Sequence, residues 1–397
     1  MTPGRIGPLL PYLPAALVLA FVTWLDSPVN DKFQFWYAGH LVASGASPFD
    51  PAQWADLGRF GPLAVLTAHN CAVPAGASCL WIYPPWTAWL LVPFGVLAPD
   101  PGIAAFTLVQ GAVMLAAFVG LSREAALRGP SRLVVTLGAA LCAPVVWNQL
   151  LGQIGALELA GGVLVARGLR TRGPLAFIAG AVLLSIKAHL FIALIPLAVA
   201  LLVRWRAWRL LAATSLSLGA LIVAGALFEP GWLAALGRAG QKGAGLVLPT
   251  VWSFADRVTP SLAPLTIAVV LALGLAATIV ALRAAPRGGW PLVFVSAAIG
   301  LSLLVAPYAH LYDHIMLLLA VAAIVAVARD ERRYAAWSAA LGFVLLTWYA
   351  YLLGPHGDEP PFTALIPLAV LVALAATLWV RERVDVALAQ RADNVIG

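Results

Sequence analysis

The sequence predicts an all-α, polytopic membrane protein of about twelve transmembrane helices, and three observations carry that prediction. Of 397 residues, 62% are hydrophobic and 10% charged, which is more apolar surface than a soluble core of this length can bury. The apolar residues fall in runs close to the ~20 that cross a ~30 Å hydrocarbon layer as helix, whereas barrel strands would be shorter and alternating. The basic residues behind the formal charge of +7 sit in short clusters between those runs. Such clustering suits membrane topology and argues against a nucleic-acid partner.

Taken in order, the first run, 8–25, follows a weak basic start at Arg5 and ends in Thr23, Trp24, Leu25 and Asp26. No small-residue cleavage site follows it, so it reads as an uncleaved first span. Further runs lie at 101–122, 133–150, 153–169, 210–228, 262–283, 291–306, 311–328, 335–353 and 362–380. Two segments admit two readings. The run 81–98 opens with Tyr83, Pro84 and Pro85 and either crosses the membrane or lies along it; 174–203 is long for one helix and short for two, with Lys187 in its middle. If 81–98 crosses and 174–203 is a single helix, Arg123, Arg128, Arg132, Arg167, Arg170 and Arg172 all lie outside, against the rule that basic loops stay inside. If 81–98 is a non-spanning helix on the external side and the chain breaks near Lys187 into two short helices, all of them lie inside, with the basic clusters at 204–209, 283–287, 329–333 and 381–391.

The second reading is the one adopted. Both termini are then cytoplasmic, two long external loops cover 26–100 and 229–261, and short ones lie near 151, 187, 308 and 356. Residues 1–397 form a single transmembrane domain without internal repeat, low-complexity tract or soluble domain. Cys142 lies in an apolar run, while Cys71 and Cys79 share one hydrophilic loop, either as a disulfide in an oxidising compartment or as a pair of inert thiols.

Loops rich in Asp, His, Trp and Pro all fall on the external side, so the chemistry is expected there. Asp31 opens the segment Asp31–His40, whose aromatic residues fit a short interfacial helix. A carboxylate at that position is a good helix cap, but its place directly after the first span makes Asp31 the catalytic candidate ahead of Asp26, Asp50 and Asp56. The third and fourth spans are joined by a polar turn that contains Asn148, Gly152 and Gln153, with Glu158 one turn on, where an intramembrane carboxylate needs a partner or a water-filled cavity. Lys187 is the most expensive residue, at ~2.5–3.5 kcal/mol for a basic group deep in a helix. Its partner is either Glu158 or a backbone carbonyl, or the phosphate of a lipid substrate entering from the bilayer.

The last polar cluster runs from Pro307 and Tyr308 through His310, Tyr312, Asp313 and His314. Two His and an Asp invite a metal reading, but no matching second set of ligands is visible and no metal is expected. In an α-helix His310 and His314 share a face, which suits hydrogen bonding to phosphate or sugar hydroxyls. The loop with Arg238, Lys242, Asp256 and Arg257 either binds phosphate or is solvated.

Together these residues resemble glycosyltransferase family 87, polyprenyl-phosphate-mannose-dependent transferases of the GT-C architecture. The pattern is spread over most of the chain: the Asp31 segment followed by Gly45 and Pro48, Phe49, Asp50; Tyr83, Pro84, Pro85 leading to Pro93; Gly152, Gln153; Lys187; and Tyr308–His314. Phe49 stands where many members carry Tyr. The resemblance implies interfacial helices in the first external loop and a general-base aspartate at Asp31, with Asp26 as the alternative. It places Lys187, Gln153, His310, His314 and Tyr312 about the substrates, with no cofactor beyond a lipid-linked sugar phosphate as donor; the reading of the residues adds Glu158 and Arg257 to the substrate-binding candidates. The resemblance further implies inverting transfer of a hexose, mannose first and arabinofuranose as the related choice, to a glycolipid or glycan acceptor. The setting is membrane lipid, in a bacterial inner (plasma) membrane with the active site external. On the residues alone, a transporter or lipid flippase also places Lys187 and Glu158 inside the membrane, although two similar halves are not visible.

Overall fold

The computed structural model describes residues 7–25, 31–54, 60, 81–243, 250–285, 290–328, 333–353 and 359–396. No strand occurs among the described residues. Among the described residues, five helices are long and apolar enough to cross a membrane: Pro99–Glu124, Pro174–Phe191, Trp208–Phe228, Pro260–Ala284 and Pro361–Ala387. A further pair, Gly129–Leu141 and Ala143–Leu151, passes together with a 50° bend, and shorter apolar helices include Leu9–Trp24, Leu194–Arg204, Trp290–Val305, Leu311–Val327 and Trp337–Leu352. The chain is therefore an all-α polytopic membrane protein.

Many of these helices are short because polar or proline residues interrupt the apolar runs. The 50° bend falls at Cys142, with Pro144 opening the second helix; proline has no N–H to give the preceding turn, so the helix kinks there. The run 174–203 divides into α-helix Pro174–Leu184, a 3-10 segment Ser185–Phe191 and α-helix Leu194–Arg204, with Lys187 itself non-helical at φ −124, ψ 59. The Ser302 hydroxyl oxygen accepts the N–H groups of Ala193 and Leu194, each at 3.0 Å, so backbone donors after the break are satisfied inside the protein.

We label the elements that build the site. Helix α1 is Leu13–Trp24, α2 is Lys32–Ala43 and α3 is Pro85–Gly95. Helix α4 is Pro99–Glu124, α5 is Gly129–Leu141, α6 is Ala143–Leu151 and α7 is Gly155–Thr171. At 11 residues, α3 is about half the ~20 needed to span the hydrocarbon layer. It packs instead along α2. The two backbones meet at glycines: a Cβ on Gly39 would strike the Leu91 carbonyl, one on Gly95 the backbone of Gly39 and His40, and one on Gly102 the Trp36 ring and the Phe94 carbonyl. Phe33, Phe35, Trp36 and Tyr37 point to more than one side of α2, and all are buried against Trp54, Trp81, Tyr83 and Trp86. The aromatics read as an interfacial stripe are thus mostly an internal core of their own, beside the larger core formed by the longer helices.

Asp26, Asp56, Cys71 and Cys79 lie outside the described residues, as do the side chains of Arg238 and Lys242. Cys142 is a buried thiol whose Sγ donates to the Ala139 carbonyl at 3.1 Å.

Gly95→Ala forces α2 and α3 apart where backbone, not a yielding side chain, is in the way. Overpacking of this kind costs about 1–3 kcal/mol or more. The expected outcome is a lowered unfolding midpoint in detergent, whereas Gly219→Ala, at a position with open space around it, leaves the midpoint unchanged or higher.

Candidate active site

The site is assembled where the start of α2, the α6–α7 turn, the break at Lys187 and the stretch before the 3-10 segment Leu311–Leu317 converge. Asp31 is the residue before α2, yet its side chain makes no capping bond. Its carboxylate instead accepts a hydrogen bond from the Gln153 amide. Its backbone N–H donates to the Leu151 carbonyl at 2.8 Å, which clamps the start of α2 against the turn. That approach needs Gly152, which sits at φ +72 and whose missing Cβ leaves room for the Lys32 side chain. Asn148 closes the turn: its amide donates to the carbonyls of Pro144 and Tyr312, at 2.9 and 2.7 Å, and its oxygen accepts the Gly155 N–H at 2.9 Å. Gln153 is used at both ends, since its oxygen also accepts from the Tyr83 hydroxyl at 3.5 Å.

Lys187 is buried close by. Its ammonium donates to Asp313 Oδ1 at 2.7 Å and lies 3.5 Å from Glu158 Oε1. The three side chains are 5%, 2% and 0% exposed. Neither Glu158 oxygen has a hydrogen-bond partner among the described residues, so Lys187 meets that group as a charge alone. The rings of Tyr312 and Tyr83 stand 5.0 and 6.0 Å from Nζ. Asp313 Oδ2 accepts the backbone N–H of His310 at 2.8 Å, so one carboxylate ties the buried cation to the start of the 3-10 segment. His310 stacks on Tyr312 with ring centres 4.9 Å apart. Its Nε2 meets the Tyr308 hydroxyl at 2.8 Å and its Nδ1 meets Glu359 Oε1 at 3.1 Å.

Electrostatics tie the groups together. Burial raises the Asp31 pKa above its ordinary 3.8, opposed by the Gln153 bond and by the charges of His310 and Lys187. Burial is also the largest influence on His310 and draws it down, but the bond and charge of Glu359, with Asp313, outweigh it and leave the imidazole easier to protonate than usual. Tyr308 is pushed up to about 12, chiefly by burial and then by Asp313.

Of the residues singled out in the sequence, Asp31, Gln153, Glu158, Lys187, His310 and Tyr312 converge here. His314 and Arg257 do not join them. The expectation that His310 and His314 share a face assumed α-helix, but Leu311–Leu317 winds as 3-10 with about three residues per turn. His314 is 1% exposed, and neither ring nitrogen has a hydrogen-bond partner among the described residues. Arg257 is exposed on the helix Val251–Val258, and among the described residues no contact links it to the Asp31–Lys187 groups. Among those residues, no group of three or more His, Cys, Asp or Glu is spaced to hold a metal ion.

Two participants escaped the sequence reading. Asp313 was considered as a metal ligand rather than as the nearest counterion of Lys187, and Glu359 was not singled out. The available signal for Glu359 was its place before Pro360 and Pro361 in a short loop of the same kind as the other polar clusters.

The fold is thus an apolar helical bundle that holds a buried cluster of ionic side chains, with the Asp31 carboxylate tied to the turn beside it. Residues 81–307 match the model of glycosyltransferase family 87, more than half of the 397 residues. The chain belongs to glycosyltransferase family 87 and is a membrane glycosyltransferase. The transporter reading falls with that assignment. The matched segment contains Tyr83, Gln153, Glu158, Lys187 and Arg257, and the folded chain brings Asp31 and the 308–313 stretch to it from either side. No curated protein and no solved structure matches the chain.

Breaking a buried ion pair by removing one partner costs about 3–5 kcal/mol, because the other charge is stranded. Asp313→Asn and Lys187→Met are each expected to lower stability by that order in detergent unfolding. The double variant should lose less than their sum by about 0.5–3 kcal/mol, as for side chains in direct contact.

Proposed function

We propose that this glycosyltransferase moves a hexose, with mannose as first choice, from a polyprenyl phosphate to a hydroxyl of a glycolipid or glycan acceptor, with inversion at the anomeric carbon. The observation that carries the reading is the placement of Asp31. Its carboxylate is not consumed as a helix cap, is held by Gln153, and lies within the electrostatic reach of Lys187 and His310. A glycosyl phosphate brings its own leaving group, so the protein must align donor and acceptor, take a proton from the attacking hydroxyl and steady the departing phosphate. Asp31 is the base in this scheme. Lys187 has much of its charge balanced by Asp313 and Glu158, so the imidazole of His310 takes the larger share of the phosphate. Tyr83, Gln153 and Tyr312 shape the walls.

The same reading gives the chain a GT-C architecture, with α2 and α3 as the non-spanning helices of the first external loop. It places the protein in a bacterial inner membrane with cytoplasmic termini and an external active site. Support comes from the distribution of arginines in the sequence and from the shortness of α3.

The test is incubation of purified protein with radiolabelled polyprenyl-phosphate-mannose and a membrane lipid extract, beside a parallel reaction with decaprenyl-phosphate-arabinose. Loss of a positioned general base lowers rate by about 10²–10⁴, so Asp31→Asn is expected to lose that much; retained transfer would remove Asp31 as the base. Label from arabinose alone would move the enzyme to arabinofuranosyl transfer. Because burial raises the Asp31 pKa and the base acts ionised, kcat/KM of the wild type should climb with pH through a limb lying above 3.8.

A further inference from the structure

Glu359 has no part in the scheme above, yet both of its oxygens are engaged at the site. Oε1 lies 3.1 Å from Nδ1 of His310, and Oε2 accepts the backbone N–H of Leu311 at 2.8 Å. The carboxylate therefore grips the His310 ring and the backbone next to it at once, which leaves the imidazole little freedom to turn. An ionised carboxylate can only accept, so the hydrogen of that bond belongs to Nδ1. Nε2 is left facing the Tyr308 hydroxyl at 2.8 Å. On its other side the ring is held by the stack on Tyr312.

We propose that Glu359 is a positioning residue: by holding Nδ1–H of His310 and the Leu311 backbone together, it fixes the direction of the imidazole, so that Nε2, once it carries a hydrogen, is the nitrogen that donates to the donor phosphate. The proposal rests on the transfer reaction proposed above. In the resting site Nε2 accepts from Tyr308; when the ring is protonated, Nε2–H donates instead, to the tyrosine oxygen or to a phosphate oxygen that replaces it. No covalent change at His310 is required. The charged groups that surround the ring are Glu359 ahead of the last long helix, Asp313 and Tyr308 on the ring's own segment, Lys187 and His189 on the broken helix, and Asp31 at the start of α2. Among these, Glu359 and Asp313 favour the imidazolium and Lys187 opposes it. Removing the Glu359 charge should therefore make His310 lose its proton at lower pH, while leaving Asp31 and the acceptor side in place.

Two measurements on the full-length protein decide the matter. In ¹⁵N spectra of histidine-labelled wild-type protein, the neutral form of His310, assigned by its loss in His310→Gln, should carry its hydrogen on Nδ1. Hydrogen on Nε2 would overturn the proposal, whether or not any variant folds. In transfer assays, Glu359→Gln should lower kcat by tenfold or more at pH 8 and by less than threefold at pH 6, with acceptor KM within twofold. Glu359→Asp should recover part of the loss, and combining Glu359→Gln with His310→Gln should be no worse than His310→Gln alone. A Glu359→Gln enzyme with the wild-type pH profile, or with a uniform loss at both pH values, would overturn it. Absence of transfer from any lipid-linked sugar would defeat the proposed reaction while leaving the ¹⁵N tautomer to settle the Glu359 contact separately.

Discussion

The irregular centre of this fold answers to an ammonium placed where water is scarce. A buried lysine is tolerated when anions come to it, and two do: Asp313 at 2.7 Å and Glu158 at 3.5 Å. Meeting it has structural costs that are visible in the chain. The helix carrying Lys187 unwinds at that residue, and the segment carrying Asp313 winds as 3-10. Non-helical backbone at such depth persists only if other groups bind it, and the hydroxyl of Ser302 and the carboxylate of Asp313 do so. The irregularity of the site and the charge at its centre are one feature.

The carboxylate proposed as the base is held by a different principle. Asp31 is positioned by backbone, through Leu151 and the left-handed Gly152, and by glycine contacts that let α2 and α3 lie almost in touch. Aromatic side chains then fill the space around those contacts. Rigid packing sets the direction of the Asp31 carboxylate, while ionic partners set the electrostatic field around it. Gln153 connects the two arrangements, since it touches Asp31 on one side and Tyr83 on the other, and Tyr83 stands over Lys187.

Much of this was legible in the sequence because membrane insertion is governed by coarse properties. Apolar run length marked the helices, and the break in 174–203 that the placement of arginines called for is seen at the non-helical Lys187. An intramembrane lysine announced a counterion, and Glu158 was near enough in the chain to be named. Asp313 was harder to assign because 126 residues separate it from Lys187, and sequence spacing carries no information about which loops meet. The winding of Leu311–Leu317 was equally hidden: α and 3-10 segments share composition, yet they turn His314 in different directions relative to His310. Glu359 had no periodic or hydropathic mark at all, since a carboxylate in a polar loop looks solvated until its neighbours are known.

The chain distance between Lys187 and Asp313 also bears on how the protein is made. At synthesis rates of about 5–20 residues per second, the 126 residues between them take about 6 to 25 s to emerge. Throughout that interval Lys187 has been synthesised and its nearest anion has not. Glu158 belongs to the preceding helix and is already present, within ion-pair reach in the finished molecule. Of the two anions that meet Lys187, Glu158 is therefore the one that the growing chain already carries when the lysine is made.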